Sequence, residues 1–126
     1  MQINLVLGWL WILLGFGGGF ILGLGFHREN WLGGYTSHRR RLYRLSHISF
    51  FGLALINLLF YFTAHGLHLA GPPTHWASWG FVIGAVSMPC CCLIMAHRPA
   101  WRALFLIPVI SLILGGCLTF LEVIKL

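Results

Sequence analysis

Four long apolar runs, at residues 3–26, 43–69, 76–97 and 101–124, divide the chain, and short polar stretches separate them. A helix that crosses a bilayer needs about 20 such residues, so each run predicts one transmembrane helix. Together they occupy most of the chain and predict an all-α integral membrane protein: a four-transmembrane-helix bundle in a single membrane domain, residues 1–126. Composition points the same way. At 59% hydrophobic and 8% charged, the 126 residues hold too few polar groups to cover a water-soluble globule.

Polar residues inside the second run are not scattered. His47, Phe50, Ala54, Asn57, Tyr61, His65 and His68 recur at steps of three, four or seven, and therefore share one side of a helix. Amide, phenol and imidazole groups left unpartnered in hydrocarbon cost several kcal/mol each, so this side is expected to face protein or a cofactor. In the first run, Gly15, Gly19 and Gly23 repeat every four residues, with Gly8 on the same face. Such small-residue stripes ordinarily let two helix backbones approach closely; a groove for a flat cofactor or a lipid tail is the alternative.

The third run contains Pro89 and a sulfur stripe, Met88, Cys91, Cys92 and Met95, at helical spacing. Soft sulfur ligands suit Cu(I), but Met and free Cys are ordinary apolar gap fillers, so no metal ligand is assigned. A turn at residues 98–100 predicts an antiparallel hairpin between the third and fourth helices, with Pro99 starting the fourth. Pro89 and Pro108 fall at similar depths, which predicts two kinks at one level and room for a cavity between them.

Charge changes the picture by setting orientation. The net charge is +6, and seven of the eight Lys and Arg residues flank the first-to-second and third-to-fourth connections. The positive-inside rule makes that end cytoplasmic and puts both termini on the non-cytoplasmic side, in a bacterial-type inner membrane. Only Lys125 lies at the other end. The first run opens without the basic residues of a cleavable signal peptide and is expected to be retained. With no soluble surface to form a basic groove, nucleic acid is not an expected partner. The acidic residues are Glu29 and Glu122 alone, so the counter-ions of Arg28, Arg39, Arg40, Arg41 and Arg44 are expected to be membrane lipid, solvent or a partner subunit.

Candidate chemistry sorts by membrane side. Toward the Arg-rich side, His47, His97 and His27 are possible axial ligands of haem b, which needs two imidazoles on facing helices; His47 with His97 is the preferred pair. The CxxCH signature of c-type haem is absent. Toward the other side, Tyr61, His65, His68 and Glu122, with His75 nearby, form a candidate quinone or proton site, in which a His–Glu pair would shuttle the proton. Nucleophilic catalysis has no support: the chain has no Asp and no GxSxG elbow. In outline alone, with no shared motif, the four spans resemble small haem-bearing membrane anchors of respiratory enzymes.

Three functions follow as expectations. The first is a small accessory or structural subunit of a multi-subunit respiratory-type electron-transfer complex, without catalysis of its own. The second is an electron-carrying subunit that binds haem b or a quinone. The third is a small oligomeric transporter or channel that uses the His, Asn and Tyr stripe as its polar path.

Overall fold

A computed structural model describes residues 1–126 and contains helices only: α1 (Gln2–Phe26), α2 (His38–Gly66), α3 (Pro72–His97) and α4 (Leu106–Ile124), with 3₁₀ segments at Trp31–Gly33 and Pro99–Phe105. With the 3₁₀ segment counted into α4, four helices are long and apolar enough to cross a membrane.

The helices pack in chain order: α2 lies between α1 and α3, and α4 covers the other side of α3. The contacts between α1 and α3 are few but specific. Only 28 of 126 residues are buried, and large apolar side chains such as Leu13, Phe20, Leu59 and Phe120 cover the outside. That surface suits hydrocarbon rather than water.

Several boundaries differ from those read off the hydropathy. α2 begins at His38, not at residue 43, because Ser37 caps it: the Ser37 Oγ accepts from the Arg40 amide at 3.1 Å. The arginine run therefore lies on the first turns of a helix. α2 also ends at Gly66, which leaves His68 outside it with φ of 52°. Pro72 and Pro73 start α3, where a missing amide hydrogen costs nothing. Pro108 is the third residue of α4 for the same reason, so the expected second kink is a 3₁₀ segment that precedes the helix.

The polar stripe expected on α2 faces protein from His47, which reaches the Gly15 carbonyl of α1, through Phe50, whose ring meets Trp11, to Asn57, and fails beyond it. Ala54 and Asn57 are buried, whereas Tyr61 is half-buried and His65 exposed. Because α2 is flanked on two sides, its buried face is broad and runs through Ser46, Ser49, Leu53, Asn57, Phe60 and Ala64.

Close backbone approach explains two of the three helix seams. Against α2, a methyl group at Gly8 would stand 2.6 Å from Leu58, and one at Gly15 2.7 Å from the Phe51 ring. Gly19 faces His47, but Gly23 faces open space and does not belong to this seam. A second seam joins α3 to α4. A methyl at Gly80 would meet the Ser111 backbone oxygen at 2.8 Å and the Gly115 Cα at 3.2 Å, and Gly84 lies against Leu112.

Gly80→Ala is expected to destabilise the protein by about 1–3 kcal/mol, because what it meets is backbone and cannot rotate away. Gly116→Ala, which meets nothing within 4 Å, is the matched control and is expected to be neutral or slightly stabilising. Unfolding in mixed detergent micelles, followed by circular dichroism, checks both.

Candidate functional site

The most deeply buried polar groups form one cluster joining three helices. Asn4 of α1 and Asn57 of α2 are fully buried, and Ser78 of α3 nearly so. The Asn4 Nδ2 donates to the Asn57 Oδ1 at 2.9 Å and to the Ser78 carbonyl at 3.2 Å, while the Ser78 hydroxyl donates to the Asn4 Oδ1. The Asn57 Nδ2 in turn donates to the Leu53 carbonyl at 2.8 Å and the Phe81 carbonyl at 3.4 Å. Both amides are thus satisfied within the protein, as hydrocarbon surroundings require.

Proline raises a second requirement. Pro89 has no amide hydrogen, so the Ala85 carbonyl one turn earlier lacks its helical donor. The Trp11 indole Nε1 of α1 donates to that carbonyl at 2.9 Å. On the neighbouring helix, the Cys91 thiol, 3.3 Å from the Leu104 carbonyl in the 3₁₀ segment before Pro108, donates to it from α3. The sulfur stripe is thus drawn into structure: Cys91 serves a carbonyl, and Met88 packs against the apolar group of Leu7, Leu53, Val82 and Ala85. No group of three or more His, Cys, Asp or Glu side chains converges on a point where a metal ion would sit.

At the arginine-rich end, Arg40 is buried, at 4% exposure. It reaches no carboxylate. Its guanidinium donates to the carbonyls of Phe26, Arg28 and Glu29 at 3.1–3.4 Å and lies 4.8 Å from the centre of the Phe26 ring. These carbonyls take its hydrogen bonds but carry no net charge, so Arg40, like the other arginines of this run, has no counter-ion within the protein. A helix C-terminus carries unpaired carbonyls and a partial negative charge, and a cation placed there satisfies both. Arg39 does the same for α3 by donating to the Ala96 carbonyl at 3.3 Å. Arg44 lies 4.4 Å from the centre of the Tyr35 ring.

The histidines expected on this side are each engaged locally. The Nε2 of His47 is 2.9 Å from the Gly15 carbonyl, so that nitrogen carries the hydrogen and only Nδ1 keeps a free lone pair. The Nε2 of His97 is 2.7 Å from the Tyr43 hydroxyl. The two rings line separate depressions that share Leu93 and are linked through Tyr43. His27 is exposed at the end of α1.

On the other side, Tyr61 and His65 stack with ring centres 5.8 Å apart. His68 is exposed in the α2–α3 connection, and His75 sets its ring against Trp79. The expected His–Glu pair is not formed: Glu122 pairs with Lys125 at 2.8 Å, one turn along the same helix.

Asn4, Ser78 and Trp11 escaped the sequence reading, yet a signal for two of them was present. Asn4 and Trp11 lie four residues before and three after Gly8, on the face of the glycine stripe, and Asn4 is the one amide inside the first run. No protein-family model, curated protein or solved structure matches this chain.

Trp11→Phe is expected to cost about 1 kcal/mol or more in stability, by leaving the Ala85 carbonyl unpaired in an apolar site. In a Pro89→Ala background, where the helix supplies its own donor, the same substitution is expected to cost clearly less. A double-mutant cycle of unfolding free energies measures the difference, and purely additive effects would contradict this account.

Proposed function

We propose that this chain is a structural subunit of a larger membrane assembly, of the respiratory electron-transfer type suggested by its outline, with the arginine-rich end cytoplasmic and both termini on the opposite side of a bacterial-type inner membrane. The observation that carries the reading is the one-sided packing of the outer helices. Only 11% of the apolar window is buried in α1 and in the fourth span, against 44% in α3. Two long faces are therefore free for neighbouring helices, and the short connections leave those neighbours unobstructed.

The use made of the internal polar groups supports the same reading. Asn57 lies on the polar path that a transporter would use, and its amide is committed to Asn4 and to two carbonyls. These bonds hold helices together. The electron-carrier reading keeps one supporting feature, the approach of the Tyr43–His97 pair to the His47 slot.

Purification in a mild detergent through a terminal tag, with mass spectrometry of co-purifying chains and a reduced-minus-oxidised spectrum of the same sample, tests the proposal. The expected result is recovery at fixed stoichiometry with redox-active membrane subunits, and no haem bands that follow this chain. Bands that follow it and vanish in His47→Ala or His97→Ala would make it the haem carrier. Recovery alone, with solute flux in vesicles that Asn57→Leu abolishes, would make it a transporter.

A further inference from the structure

The arginine-rich end carries a surface that helix packing does not use. Leu93, Ile94, His97, Arg98 and Trp101 line an open depression of about 450 Å³, within the size range of small-molecule sites. Leu93 also walls a narrower slot of about 160 Å³ that runs between α1 and α2 past Ile21, Tyr43 and His47. The walls on the membrane side are apolar and the rim is basic.

Charge at this rim has no counterpart in the protein. The one ion pair, Glu122 with Lys125, sits at the end of α4 remote from the arginines, so none of the seven arginines has a carboxylate within 4.0 Å. Arg40, Arg39 and Arg44 are engaged by carbonyls and a ring, as described above. Arg28, Arg41, Arg98 and Arg102 are exposed and make no side-chain hydrogen bond, and of these Arg98 alone lines the depression. Arg98 stands beside His97, whose ring is held by the Tyr43 hydroxyl. The exposed Trp101 adds the amphipathic ring that favours the headgroup level of a bilayer. The C-terminal dipole of α3 opposes an anion here, but amounts to about half a charge, and Arg39 already covers it at Ala96.

We propose that this groove binds one anionic phospholipid, with an acyl chain along Leu93 and Ile94 and the phosphodiester against Arg98 and His97. A guanidinium presents paired donors that match two phosphate oxygens, and the ammonium of a zwitterionic lipid would partly repel that guanidinium. The site does not depend on which assembly the chain joins.

The test uses the full-length protein in mild detergent, equilibrated with equimolar dioleoyl-phosphatidylglycerol and dioleoyl-phosphatidylcholine, with retained lipid counted by native mass spectrometry. One phosphatidylglycerol is expected to be retained in preference. Arg98→Gln is expected to reduce that preference about fivefold, the effect of one basic group near an anionic headgroup. Leu93→Trp, which fills the groove from an exposed position, is expected to abolish retention with helix content unchanged. Arg28→Gln, at the end of α1 and outside the groove, is expected to leave it intact. Equal retention of the two lipids would overturn the site, as would an equal loss with Arg28→Gln, which marks diffuse charge attraction. Undiminished retention in Leu93→Trp would overturn it too.

Discussion

Inside a bilayer, a carbonyl or amide that loses its partner has no water to replace it, and the packing of α1, α2 and α3 follows from that constraint. Hydrophobic contact alone does little to choose neighbours among apolar helices, since lipid tails are as apolar as leucine. The choice is made by directional bonds. Asn4, Asn57 and Ser78 join three helices near the α2–α3 turn, and the Trp11 indole joins α1 to α3 further along, at Ala85. Each such bond has few alternative partners in hydrocarbon, so the set determines both which helices are neighbours and how far each is displaced along its axis. The glycine seams then determine how close those neighbours come.

Proline has a related part in this scheme. Pro89 leaves a carbonyl free in the middle of α3, and the freed group becomes the acceptor that fastens α1. Near the start of α4, the Leu104 carbonyl of the preceding 3₁₀ segment meets the Cys91 thiol of α3. At Pro89 the residue that interrupts one helix's ladder thus creates an attachment point for another. Ser46 adds to this at the same break, donating to the Pro89 carbonyl at 3.3 Å. The Pro89 region of α3 is thus bonded on the α2 side as well as the α1 side.

Hydropathy alone was enough to read four helices, their order and the antiparallel hairpin of the last two, because span length is imposed by bilayer thickness. The glycine face of α1 was also legible at Gly8, Gly15 and Gly19, since a fourfold repeat has few other uses in lipid. Helix ends were less so: hydropathy cannot see that a cap at Ser37 and carbonyls on α1 and α3 let a helix begin with His38 and three arginines. The polar lock was half legible. Asn57 declared itself as an amide in an apolar run, but its partner Asn4 on α1 lies 53 residues away and the serine on α3 lies 74 residues from Asn4, and only the tertiary fold brings them together. The histidines were the least legible, because an imidazole that ligates a metal and one that donates to a helix carbonyl have the same sequence context.

The two halves of the molecule are held by different physics, and this bears on what each can do. Three helices are tied by buried hydrogen bonds whose loss costs more in hydrocarbon than their formation gains in water. α4 is attached chiefly through Gly80, Gly84, Ser111 and Gly115, where shape and van der Waals contact carry the association, together with the single thiol bond at Leu104. Contact of that kind falls away steeply with distance, so α4 depends on an unbroken seam of small residues, whereas α1 depends on a few well-aimed groups. A neighbouring helix that packed on the outer face of α4 would leave the seam with α3 untouched. One that competed for Asn4 or Trp11 would have to replace directional bonds, which makes the outer faces, rather than the seams, the surfaces available for assembly.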